Sequence, residues 1–381
     1  MDLTASGVRA TSVASPGTGL LPAGTVLGGS LLSLVGLTWD IQWHGDVGPD
    51  TFFTLPHLFL YSGSAVVGLA SLAVVLLTTA ARRAGRPIDP RVGGRVVNVF
   101  GRTFAAPLGY LFSGVGAATF LLYGLWDQWW HSLYGFDAVI DSPPHIGLLL
   151  SITLSLIGTT AVFAAAREHR WGRIGTVGSL TVLLSFGPVL MLGLQQVPDD
   201  VADPVSVGTA MLSVLLLATG AGFVRRPGGA LAVAAATAAL QAVFWWFSPW
   251  AARAYADLED LPLRDQTSGV PQMPSLVPMA LIVVALLMEG LYLLGRRRGW
   301  RVGRVSVVAG GIGAALIAFS LPLQQAWLYT RAGSHVPPVD YLVVTAVIGA
   351  AAGLLGGFAG WRFGGMLCLL APTKKEANTD A

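Results

Sequence analysis

The chain has 381 residues, 54% of them hydrophobic and only 11% charged, with a mean hydropathy of +0.65. A soluble domain is about one quarter charged, so this composition excludes a water-facing globular surface and leaves lipid as the surrounding solvent. The net charge of +3 and the pI near 9.2 come from short loops between apolar stretches, which excludes a nucleic-acid footprint.

Ten stretches are apolar enough, or nearly so, to cross a hydrocarbon core, which needs roughly 20 residues per helix. They fall near residues 22–43, 54–80, 104–131, 143–166, 174–196, 205–224, 229–250, 273–295, 304–328 and 339–363. The expected fold class is therefore all-α: a polytopic integral membrane protein of about ten transmembrane helices with both termini cytoplasmic. The longest polar connection, roughly 251–272, leaves no room for a soluble domain.

Charge sets the orientation. With a cytoplasmic amino terminus, twenty of the 23 basic residues lie in inside loops, and only Arg253, Arg264 and Arg331 lie outside. Short loops rich in Lys and Arg stay cytoplasmic, and the bias alternates correctly at every loop. The first twenty residues lack a basic start followed by an apolar run, so no cleaved signal peptide is expected. The single Cys368 offers neither a disulfide nor a thiolate site, and the seven methionines lack the clustering of a Cu(I) relay.

Four of the six histidines fall in two matching units at the outer ends of the first and third helices. The first, WDIQWHGDVGPDTFFTLPH, ends at His57, and the second, WDQWWHSLYGFDAVIDSPPH, ends at His145. Their spacings are Asp-x3-His-x12-His and Asp-x3-His-x13-His, on Asp40, His44 and His57 and on Asp127, His131 and His145. Residues four apart share a helical face, about 5–6 Å between Cβ atoms. Pro56, and Pro143 with Pro144, suit the first turn of the returning helix and so deliver His57 and His145 level with the end of the helix before. Both hairpins run in the same direction, a parallel repeat about an axis along the membrane normal. Ionisable residues in a membrane are costly and point to function, and two imidazoles with a carboxylate suit non-haem iron, zinc or copper. A bis-histidine haem gives the aspartate no role. Trp39, Trp43, Trp126, Trp129 and Trp130 read mostly as an interfacial aromatic belt.

The chain thus divides into a four-helix metal-binding half, residues 1–166, and a six-helix half of unassigned role, residues 167–381. The distal half has polar outer segments at 194–204, 248–266 and 323–340, expected as ordinary capping loops, although they are also placed to roof the metal sites. Gln195–Gln196 and Gln324–Gln325 hint at a further weak repeat. His335 is the distal histidine on the outer side, whereas His169 lies in a cytoplasmic loop. Glu289, near the cytoplasmic end of its helix, is expected to pair with an arginine such as Arg297. The 48 glycines, in runs such as GAAAGLLGGFAGW at 349–361, imply close helix packing and not phosphate loops.

The segment from Asp40 to His57 resembles the metal-binding segment of the C subunit of copper membrane monooxygenases, the particulate methane and ammonia monooxygenase family. The likeness extends to the DTFFTLPH run, residues 50–57, and covers roughly residues 25–165. The family has a second constellation of Asn-x3-His-x13-His, which falls here on Asp127, His131 and His145, beside Trp126, Trp129 and Ser132. The resemblance implies neighbouring copper sites on the extracytoplasmic side of the cell membrane and O2-dependent oxidation of a small apolar substrate. Asp127 departs from the family's asparagine, which leaves iron and zinc open, and no soluble copper domain accompanies these helices. Partner oxygenase subunits or self-association are therefore expected alongside the lipid bilayer. The competing expectation is a non-catalytic metal protein for copper acquisition or transfer, or an accessory subunit. A proton-coupled transporter is disfavoured, because the six candidate residues sit at one face and not at mid-bilayer.

Overall fold

The computed structural model describes residues 17, 19–135, 142–265 and 267–371. Among them are ten spans long and apolar enough to cross a membrane, as the hydropathy predicts. They are α1 (Leu20–Asp46), α2 (Leu55–Arg83), α3 (Leu108–Tyr134), α4 (Pro143–Ala165), α5 (Arg170–Met191), α6 (Pro204–Val224), α7 (Gly229–Leu258), the broken pair α8 (Gln272–Leu276) and α9 (Leu281–Arg297), α10 (Val302–Leu328) and α11 (Val339–Leu367). These helices make a multi-pass membrane protein.

Two elements differ from the hydropathy reading. The first residues expected in the third span, Phe104–Pro107, fold instead as strand β2 of an antiparallel hairpin with β1 (Val96–Val99) from the preceding loop, in register Val96↔Pro107 to Val99↔Phe104. Thr79 of α2 anchors it by accepting from Ala105 N at 2.9 Å, so α3 begins only at Leu108. Second, α7 continues past Trp250 to Leu258, because Ala251, Ala252 and Ala256 are buried against neighbouring helices.

Glycine sets the helix spacing. On α11, Gly349 and Gly353 face Ala318 and Ala314 of α10, while Gly356 and Gly360 face Met211 and Leu215 of α6. Small residues let membrane helices approach until their backbones touch. The two histidine-bearing hairpins use the same device at the same place. Gly29 and Gly116 each precede the hairpin aspartate by eleven residues. A Cβ on either would stand 2.7 Å from a carbonyl of the paired helix, that of Gly63 or Ser151. Helix α1 also packs on α5 and α7, tying the first hairpin to the distal half.

The break between α8 and α9 leaves backbone groups that lipid cannot satisfy. Gln324 fills them: its Nε2 donates to the carbonyls of Ser275 (2.7 Å) and Val277 (3.0 Å), and its Oε1 accepts from Met279 N at 2.7 Å. Gln195 and Gln196 lie exposed beyond α5, so the two glutamine pairs do different work. Glu289 is buried and accepts from Ala230 N at 2.8 Å. It caps the amino terminus of α7, where exposed N–H groups favour an anion; this corrects the expected pairing with Arg297.

Candidate metal centres

Each hairpin begins where its first helix stops. Gly48 and Gly135 each follow the helical histidine by four residues and have φ values of +104° and +84°, the left-handed conformation that glycine tolerates and that ends helices. Gly48 N and Gly135 N donate to the carbonyls of Trp43 (3.0 Å) and His131 (3.0 Å). The return helices open on proline, as the sequence suggests. In the second hairpin the N-cap Ser142 accepts from the backbone N–H of His145 itself at 3.4 Å.

The six residues singled out from the sequence gather into two clusters, and a seventh joins them. Asp40, His44, His57 and Asp50 each offer one donor atom in the first, and Asp127, His131 and His145 do so in the second, with the donors of each group within 4.8 Å of one another. In the first, Nε2 of His44 lies 3.8 Å from Asp40 Oδ1 and 3.1 Å from Asp50 Oδ2. Nε2 of His57 lies 3.1 Å from Asp40 Oδ1 and 3.5 Å from Asp50 Oδ2. In the second, Asp127 stands 3.4 Å from Nε2 of His131 and 3.5 Å from Nε2 of His145. Asp50 comes from the loop between α1 and α2, where helical periodicity gives no guidance.

These separations suit a shared ion. Donors about 2.1 Å from a tetrahedral ion stand about 3.4 Å apart, and the six distances scatter between 3.1 and 3.8 Å around that value. All exceed the roughly 2.7–2.9 Å of a charge-assisted N–H···O bond. Proton placement points the same way. Nδ1 of His57 lies 2.9 Å from the Thr51 carbonyl, and Nδ1 of His131 lies 3.0 Å from that of Gly135. A carbonyl only accepts, so these nitrogens carry hydrogen, and Nε2 is the ring atom that faces the carboxylates. Between Nε2 and a carboxylate at these distances there is room for a positive charge, a proton on the ring or a metal ion. Oδ1 of Asp40 and Oδ1 of Asp127 are buried and receive no hydrogen bond from the described residues, which leaves both open to an ion. Imidazole nitrogen with carboxylate oxygen is a donor set for Zn²⁺, Fe²⁺ or Cu²⁺ rather than Cu⁺. Ligating histidines typically hold the other ring N–H on a carbonyl or carboxylate, the arrangement seen at His57 and His131.

Comparison with protein-family models, with characterised proteins and with solved structures gives no match. The two centres therefore speak through their own geometry.

Their surroundings differ. Trp39 and Trp43 are buried, at 7% and 1% exposure, and are not belt residues. Trp39 packs edge-on against Phe59, Phe247 and Tyr255, and Trp43 lies 4.8 Å from Tyr255 and donates Nε1–H to the Pro49 carbonyl at 2.7 Å. The distal half thus braces the first hairpin. Beyond α7, Arg264 N donates to the Asp46 carbonyl at 2.8 Å, and Gln272 N donates to Gln42 Oε1 at 2.9 Å. Of the three polar outer segments, the one at 248–266 supplies Tyr255 and Arg264 as braces for this site and is not merely a capping loop. Trp126 and Trp129 remain exposed, in keeping with a belt. His335 bonds to the Gly333 carbonyl in its own loop, and His169 stacks on Trp171; neither belongs to a cluster of the described residues.

Proposed function

We propose that this protein holds a transition-metal ion in each of its two Asp/His centres and uses them in the O2-dependent oxidation of a small apolar molecule. Copper is the ion that the hairpin resemblance favours. The observation that carries the reading is the spacing of the donors, 3.1–3.8 Å around a common point in both hairpins. The positive-inside bias of the loops supports centres on the extracytoplasmic side.

A bound redox-active ion would supply the chemistry toward O2; the chain supplies the holding and the surroundings. Asp40 and Asp127 each face imidazoles from both helices of their hairpin, so closing the hairpin assembles the site. Thr51 and Gly135 carbonyls fix the ring orientation of His57 and His131. The lipid-facing aromatic surface around Trp126 and Trp129 offers an apolar substrate a route from the bilayer without crossing water.

A second reading is a metal acquisition, transfer or accessory role. The four-donor set of the first centre favours it, because four protein ligands saturate a tetrahedral ion, as structural sites do. Metal analysis of protein purified in mild detergent separates these readings. Two coppers per chain, with one lost in His57→Ala and one in His145→Ala, are expected. Zinc or no bound metal removes the oxygenase reading, and two coppers with no O2 consumption in the presence of reductant and small hydrocarbons supports the accessory one.

A further inference from the structure

Helix α7 carries a stripe of four residues that the Asp/His clusters do not use: Trp246, Trp250, Arg253 and Asp257. Spacings of four, three and four keep them on one face of the helix, and all four are exposed. Tyr255, on the opposite face, supports Trp39 and Trp43, so the stripe looks away from the bundle at the end where the first cluster lies. The indoles of Trp246 and Trp250 stack, with centroids 5.4 Å apart and planes 9° from parallel. Gly269 and Pro271 of the following loop close the other side of a groove of about 480 Å³, a size typical of small-molecule sites. Trp250 lies 21 residues beyond Gly229, the first of α7. That is about 31 Å along the axis, where a hydrocarbon core about 30 Å thick ends. Arg253 and Asp257 follow about 5 and 10 Å farther out, at headgroup level. Among the described residues neither the guanidinium nor the carboxylate has a hydrogen-bond or ion-pair partner, although one turn separates them. An aromatic belt accounts for exposed tryptophans, but not for a groove that ends in an unpaired charge of each sign.

We propose that this groove binds a phospholipid with a zwitterionic headgroup. An acyl chain lies along the stacked indoles, and the Arg253 guanidinium takes the phosphate through paired N–H···O bonds. Asp257, one turn farther from the hydrocarbon, takes the ammonium that follows the phosphate. The order along the helix is apolar, then cationic, then anionic. It is the complement of the order in such a lipid, which runs acyl chain, phosphate, amine. A phospholipid without an amine meets the same guanidinium but leaves the Asp257 charge unpaired. The site stands apart from the metal-binding reading, since none of its residues belongs to either cluster.

The test uses the full chain in mild detergent, mixed with phosphatidylethanolamine or with phosphatidylglycerol of the same acyl chains and read by native mass spectrometry. The unaltered protein is expected to hold phosphatidylethanolamine in preference to phosphatidylglycerol. Arg253→Gln should lower retention of phosphatidylethanolamine about tenfold or more, the scale of one charge-assisted hydrogen bond. Asp257→Asn should remove the preference between the two lipids. Both positions are exposed, so each variant should run as the unaltered protein does in size-exclusion chromatography. Equal retention of the two lipids by the unaltered protein, or unchanged retention of phosphatidylethanolamine in Arg253→Gln, overturns the site.

Discussion

Asp40 Oδ1 lies 3.1 Å from Nε2 of His57, although one residue sits in the last two turns of α1 and the other in the first turn of α2. In the second hairpin the Asp127 carboxylate and His145 make the same junction at 3.5 Å. Removing the carboxylate charge should therefore weaken one centre and spare the other. Asp40→Asn should lower affinity at the first centre, and Asp127→Asn at the second. Each loss should be at least the roughly 10–100-fold seen when only an outer-shell partner is removed. Competition with a coloured chelator, read for each centre in turn, checks this.

Asp50 gives a graded version of the same experiment. Its loss leaves Asp40, His44 and His57 as three donors, the number present in the second cluster among the described residues. Asp50→Asn should thus keep a stoichiometry of one ion at the first centre while weakening it, and it should make that ion's spectrum more like that of the second.

Acidification should release metal by way of the imidazoles before the carboxylates. Burial opposes the charge on Asp50, but the facing His44 imidazole, the field of His57 and the Thr54 hydroxyl hold its carboxyl below the usual range. A carboxyl depressed on folding contributes stability above its unfolded value and loses it only as the pH falls through the lower folded one. Protons competing for Nε2 act at milder pH. Bound metal should fall between about pH 8 and about pH 5 and return on neutralisation, as followed by equilibrium dialysis.

The brace from the distal half should matter to one centre alone. Arg264 Nε donates to the Val47 carbonyl at 3.3 Å, and its backbone N–H holds Asp46. Arg264→Ala removes the first contact, and Tyr255→Ala removes the ring that supports Trp39 and Trp43. Both should speed metal loss from the first centre and leave the second unchanged, measured as chelator-driven off-rates.

The helix interfaces predict a different failure. A Cβ on Gly357 would collide with the Ser306 carbonyl and Gly310 of α10. Gly357→Val should abolish the folded protein, seen as aggregation in size-exclusion chromatography. Gly290→Ala, where the added Cβ meets nothing within 4 Å, should be silent.

Much of this was legible in the sequence, because lipid imposes long unbroken apolar runs and helices impose a spacing of four. Those two regularities locate the ten spans and bring Asp40 to His44 and Asp127 to His131. The prolines place His57 and His145. Asp50 was hidden because a loop side chain folds back by tertiary contact and not by period. A signal exists all the same: His44-x5-Asp50 recurs as His131-x5-Asp137, and Asp137 lies outside the described residues. The hairpin at 96–107 was masked because apolar Phe104–Pro107 runs straight into α3 and Val96–Val99 sits in an arginine-rich loop; Phe100, Gly101 and Arg102, all at positive φ, make its turn. The burial of Trp39 and Trp43 depends on α7, some 200 residues away, which no local pattern reports.

Anomalous diffraction at the copper absorption edge, from crystals of copper-loaded protein, tests the central claim most directly. The account predicts two peaks: one among Asp40, His44, Asp50 and His57, and one among Asp127, His131 and His145, each about 2 Å from the imidazole Nε2 atoms. Density free of anomalous signal at both places, or a single peak bound elsewhere, would contradict it.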